Sequence, residues 1–129
     1  MNNENQKIET AKKFIKRYNK LIESELKTLD KRFANTGYTS ELMGIINDQK
    51  LMTERKYYSF ALLQLSTRME IINYCGLKIQ EINVKVGFYE RSAKKMKAID
   101  RDSCNQLLIK AIDLQSHIRF LSKVENFII

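Results

Sequence analysis

Residues 4–34, ENQKIETAKKFIKRYNKLIESELKTLDKRFA, decide the fold class. Ile8, Ala11, Ile15, Tyr18, Ile22, Leu26, Leu29 and Phe33 recur at steps of three and four residues, and Phe14 and Leu21 widen the stripe. That period follows the α-helical turn and predicts a helix with one buried face. Its end is predicted at Asn35, Thr36 and Gly37, because glycine can take the left-handed backbone that stops a helix.

Beyond that turn, Thr39 and Ser40 are suitable N-caps for a segment carrying Leu42, Ile45, Ile46, Leu51 and Met52, followed by a polar interval over residues 53–56. Tyr58, Leu62, Leu65, Met69, Ile72, Gly76, Ile79, Ile82, Val86, Tyr89, Ala93 and Met96 then keep a nearly heptad beat. One helix can run through all of it, but Gly76 and Gly87 each cost about 1 kcal/mol relative to alanine in a helix interior, so a break is predicted near Gly76. Ile82, Val84, Val86 and Phe88 also alternate like a strand, yet a single short strand has nothing to pair with. Residues 99–102 read as a charged loop. Ser103 and Gln106 then form a capping box ahead of Leu107, Ala111, Leu114, Ile118, Leu121 and Phe127. With no proline and four glycines the chain lacks the turn residues of a β-rich fold. The expectation is all-α: a single domain over residues 1–129, an antiparallel bundle of three long or four medium helices joined by short loops.

Apolar residues make up 43% and charged residues 29% of the 129, the balance of a domain that folds. The longest charge-free stretch, residues 57–67, falls short of the roughly 20 apolar residues that a membrane span needs, so none is expected. The polar opening Met-Asn-Asn-Glu-Asn-Gln offers no apolar signal segment and predicts a cytoplasmic protein. Cys75 and Cys104 are expected to be reduced and buried, since neither has a second cysteine or histidine at ligand spacing.

Lys and Arg number 23 against 15 Asp and Glu, a formal charge of +8. Lys12, Lys13, Lys16, Arg17 and Lys20 come without an acidic residue among them and, at 100° per residue, fall within an arc of about 140° away from the apolar stripe. A second cluster, Arg91, Lys94, Lys95, Lys97 and Arg101, is placed opposite Tyr89, Ala93 and Met96. A charge-rich face can merely solvate a helix. Two such faces in a strongly basic chain point instead to a polyanion. Tyr18, Tyr57, Tyr58 and Phe88 are candidate rings for stacking on unpaired bases wherever they are exposed.

Catalytic groups are scarce. His117 is the only histidine, so a two-histidine metal site has no basis. A helical nuclease that places arginine a few residues before its histidine has none either, because Ala111, Ile112 and Asp113 stand there. The four glycines are scattered singly and make no phosphate loop. Asp100 and Asp102 around Arg101 read as caps of the following helix before they read as a cation site. Residues 39–58 lack the pattern of a helix-turn-helix reader. The expectation is a protein that is not an enzyme and carries no cofactor or metal.

Thr39-Ser40-Glu41-Leu42-Met43-Gly44-Ile45-Ile46, then Arg68-Met69-Glu70-Ile71-Ile72 leading to Gly76, then Asp100-Arg101-Asp102-Ser103 before a last helix, resembles in order and approximate spacing the small helical subunit of type III-A CRISPR effector complexes. The chain departs from that family's pattern at Met43, which stands for an arginine, at Cys75, which replaces alanine, and at Leu77 and Lys78, where an arginine follows glycine. The last helix, Asp113-Leu114-Gln115-Ser116-His117-Ile118-Arg119, matches only in its charges. The resemblance implies a non-catalytic subunit of an antiviral ribonucleoprotein that contacts the backbone of guide RNA and its target. Arg68, Lys78 and Arg119 would be its basic contacts. Together these readings predict a helical RNA-binding subunit with other protein subunits as partners. The alternative is a protein-interaction or assembly adaptor, phage or plasmid encoded, that self-associates through the heptad-like run and the apolar C-terminus Phe127-Ile128-Ile129.

Overall fold

The structure, a computed structural model, describes residues 3–37 and 39–129; the first two residues of the polar N-terminal stretch lie outside them. The described residues form four α-helices and no strand: α1 (Asn3–Asn35), α2 (Thr39–Leu63), α3 (Arg68–Met96) and α4 (Arg101–Ile128). The chain is all-α, and residues 82–88 are helical, which removes the strand reading. The helices fall into two compact units, Met1–Ser66 and Thr67–Ile129.

In the first unit α1 and α2 run antiparallel. Gln49 donates to Asp30 at 2.8 Å, Lys56 lies 3.8 Å from Glu23, and Arg55 donates to the Tyr18 hydroxyl at 2.7 Å. α1 buries Ile8, Ala11, Ile15, Ile22 and Leu29, the expected row, whereas Tyr18 and Leu26 are half-buried and Phe33 is exposed. Asn19, which no apolar reading selects, is buried in the same row. α2 buries Ile45 and Leu62 together with two polar residues, Arg55 and Ser59. The antiparallel register sets Ser59 level with Asn19, and Asn19 Oδ1 and Ser59 Oγ make no hydrogen bond. This polar layer divides the apolar contacts of the hairpin into two halves.

The turn between α1 and α2 works differently from the expectation. No described glycine has a positive φ, so Gly37 does not stop α1 by a left-handed residue. Thr39 and Ser40 are the first two residues of α2 and not flanking caps.

The predicted break at Gly76 is a second correction. α3 runs straight through it, and the chain turns instead over residues 64–67, inside the uncharged stretch. α2 closes with two tight i to i−3 bonds, Gln64 N to Ala61 O at 3.2 Å and Leu65 N to Leu62 O at 3.1 Å. Thr67 then opens α3 with a complete capping box: its hydroxyl accepts from Glu70 N at 3.2 Å, and its own N–H donates to Glu70 Oε1 at 3.1 Å. Nothing in the structure explains Gly76.

α3 and α4 form the second antiparallel hairpin. α3 buries Ile71, Cys75, Ile82, Val86 and Ala93. α4 begins at Arg101, two residues before the predicted Ser103 cap, because Asp100 is the N-cap: its carboxylate accepts from Asp102 N at 3.1 Å and from Ser103 N at 3.3 Å. Hydrogen bonds from Ser103, the hydroxyl foremost, hold the Asp100 carboxyl below its ordinary pKa. The expected stripe of α4 is buried at Ala111 and Leu121 and half-buried at Leu107, Leu114, Ile118 and Phe127. Toward the C-terminus the buried face widens to take in His117, Phe120, Val124 and Ile128. Both cysteines are buried free thiols. Burial, reinforced by the Glu125 carboxylate, pushes the Cys75 thiol up to about 12, so it is an inert packing group.

Because the Thr67 box opens α3, Thr67→Ala is expected to destabilise the chain by about 1 kcal/mol. Chemical denaturation followed by circular dichroism measures it, and an unchanged midpoint would remove the cap from the account.

Candidate nucleic-acid interface

The buried stripe of α1 dictates where its charges go. Ile8, Ala11, Ile15, Asn19, Ile22 and Leu29 occupy an arc of about 80°, which leaves the remaining surface to polar side chains. Lys13, Lys16, Arg17 and Lys20 are exposed there, and Lys12 is half-buried at the edge of the stripe. Two exposed lysines that the cluster reading missed, Lys27 and Lys31, continue the same face. Lys13, Lys16, Lys20, Lys27 and Lys31 stand at steps of three, four, seven and four residues, inside an arc of about 60° and along about 27 Å of helix. The signal that finds them is angle and not adjacency, since Glu23 and Glu25 separate the two groups in sequence. Glu23 is drawn to Lys56 of α2. Among the described residues, none of the five stripe lysines has a carboxylate within ion-pair distance.

Neighbouring cations about 6 Å apart on a helix repel by roughly 0.7 kcal/mol in water before salt screens them. The stripe therefore gives no stability to α1, and an anion laid along it relieves the repulsion. At the end of the stripe Lys31 also lines an open cleft of about 340 Å³ at the α1–α2 turn, with Thr28, Arg32, Asn35, Thr36, Gly37, Glu41 and Ile45. Thr36 donates its hydroxyl to the Glu41 carboxylate across that cleft.

The second cluster is not one helix face. Arg91, Lys94 and Lys95 are exposed on α3 within an arc of about 100°, on the side away from Ala93. Lys97 is the C-cap residue of α3, and Arg101 is the first residue of α4. Lys94 and Lys95 also sit in the last turn of α3, where positive charge complements the unpaired carbonyl ends. Part of this cluster thus has a structural role of its own.

The three basic residues implied by the resemblance are set apart from both clusters. Arg68 is half-buried at the start of α3, and Lys78 lies about 15 Å further along the helix. Lys78 is half-buried, 3.3 Å from Glu81, with its ammonium 5.8 Å from the Tyr74 ring centroid. Arg119 is exposed on α4. Of the four candidate stacking rings, Tyr18 is half-buried beneath Arg55, whose guanidinium lies 5.8 Å from its centroid, and Tyr58 is half-buried. Tyr57 and Phe88 are exposed, at 70% and 58%.

No group of three or more His, Cys, Asp or Glu side chains that could hold a metal ion occurs among the described residues, and no helix among them is long and apolar enough to cross a membrane. No family, curated protein or solved structure matches the chain.

Proposed function

We propose that this chain is a non-catalytic helical subunit of a ribonucleoprotein that binds the backbone of nucleic acid, with RNA preferred over DNA. The observation that carries the reading is the row of five exposed, unpaired lysines along α1. Polyanion binding needs only cations at repeated spacing, and its free energy comes from counterions released as phosphates are neutralised. The net charge of +8 acts in the same direction over a longer range. The preference for RNA rests on the resemblance to the type III-A small subunit.

A titration of single-stranded RNA by fluorescence polarisation at two salt concentrations tests this. Binding is expected at low salt and should weaken steeply as salt rises. Replacing Lys13, Lys16 and Lys20 by glutamine should flatten the slope of log K against log salt by about 2, at roughly 0.7 per lost phosphate contact. Absence of binding at low salt sinks the proposal.

A second reading, an assembly adaptor, is favoured by one observation. Met43, Ile46, Tyr57 and Phe60 lie exposed on one side of α2, away from its buried residues, an apolar face that single scattered side chains do not make. Under it the chain self-associates or captures an acidic protein. Sedimentation that finds a lone monomer, indifferent to reversing the charges of Lys94 and Lys95, would remove that reading.

A further inference from the structure

Phe88 is a large apolar ring left open to solvent beside two unpaired cations on one face of α3. Val84, Phe88, Arg91 and Lys95 follow one another at steps of four, three and four residues, so they line up within an arc of about 60°. The ring is braced from below. Its centroid lies 5.7 Å from that of Tyr89, with the planes inclined at 68°, and the half-buried Tyr89 ring in turn receives the Lys110 ammonium of α4 at 5.7 Å. The Phe88 ring, 58% exposed, thus packs edge-on against a half-buried neighbour that itself contacts α4.

Arg91 is held as well. A Cβ on Gly87 would come 3.0 Å from Arg91 Nη1, so the guanidinium lies along the helix over this glycine. Glycine in a helix interior is otherwise unfavourable. Here the missing side chain is the space that the guanidinium occupies, which holds the planar group close to the α3 backbone on the flank of the Phe88 face.

Resting on the nucleic-acid reading above, we propose that Phe88, Arg91 and Lys95 form a stacking site for an unpaired base of single-stranded nucleic acid, the ring carrying the base and the two cations its flanking phosphates. An aromatic face accepts any base, and arginine adds a cation on the flank of the same face, so such a site is tolerant of sequence and selective for single strands. Bases inside a duplex present no free face to the ring. Leu77 and Val84 extend the apolar surface toward the N-terminus of α3, so a protein helix is the competing occupant. A second copy of this basic chain or any helix without carboxylates would cover Arg91 and Lys95 with nothing to compensate them.

The test uses the full chain and a short single-stranded oligoribonucleotide, with an RNA duplex of the same length and heparin as further probes. Phe88→Leu keeps apolar bulk and removes the ring; Phe88→Tyr restores a ring. Phe88→Leu is expected to weaken single-strand binding by roughly 5- to 150-fold. The salt slope, helicity, duplex binding and heparin binding should stay unchanged, and Phe88→Tyr should restore the affinity. If the wild type binds the single strand and Phe88→Leu binds it equally well, the stacking site is lost and the backbone-binding function stands. Equal weakening toward duplex and heparin also overturns the site. A Phe88→Leu variant that loses self-association while keeping its RNA affinity assigns the face to protein and overturns the proposal. A wild type that binds none of the three probes overturns the proposed function and this site with it.

Discussion

The 100° turn per residue that gathers Ile8, Ala11, Ile15, Ile22 and Leu29 onto one side of α1 is the constraint on which the rest of the first unit depends. Each buried isoleucine or leucine stabilises the fold by about 1.5–3 kcal/mol, far more than any exposed pair of charges. Packing therefore fixes the rotation of α1, and the charges have no choice of side. Lys13, Lys16, Lys20, Lys27 and Lys31 form a row because the apolar residues form another. The same packing accepts a cost at Asn19 and Ser59, whose buried oxygens lack hydrogen bonds, and at Arg55, whose guanidinium is buried against Tyr18. Polar groups in this layer favour one register of the hairpin, since sliding the helices would separate Arg55 from the Tyr18 hydroxyl.

α1 was legible in the sequence because its two faces differ in kind. α2 and α3 were not, because both carry apolar residues on opposite sides: Ile45 and Leu62 against Met43, Ile46, Tyr57 and Phe60 in α2, and Cys75, Ile82 and Val86 against Leu77, Val84 and Phe88 in α3. A helix that is apolar all round gives no phase, and a heptad-like count then runs across the real boundary at residues 64–67. No glycine or proline marks that boundary. What marks it is Thr67 three residues ahead of Glu70, a pattern that competes poorly for attention with Gly76. At the start of α4 two cap signals overlap, and the one read at Asp100 prevails: its shorter reach to Asp102 and Ser103 outranks the box expected on Ser103 and Gln106.

The candidate site was half visible. Runs of adjacent basic residues stand out in a sequence, as Lys12, Lys13, Lys16, Arg17 and Lys20 do, while Lys27 and Lys31, set apart by Glu23 and Glu25, join the row only when positions are placed by angle around the helix. Adjacency also misled: Lys97 and Arg101 belong to a cap and to the next helix, not to the face of Arg91 and Lys95. Exposure of rings is set by tertiary packing: Tyr18, on the apolar stripe of α1, lies under Arg55, and Phe88, outside the heptad-like run, is open.

The central claim is that the lysine row of α1 is a binding surface and not a solvated one. Lysine acetylation footprinting, read by mass spectrometry with and without single-stranded RNA, addresses it directly. The account predicts that RNA protects Lys13, Lys16, Lys20, Lys27 and Lys31 while the exposed Lys50 and Lys85 stay as reactive as in the free protein. Protection spread evenly over all lysines, or confined to Lys50 and Lys85 with the α1 row still modified, would contradict it.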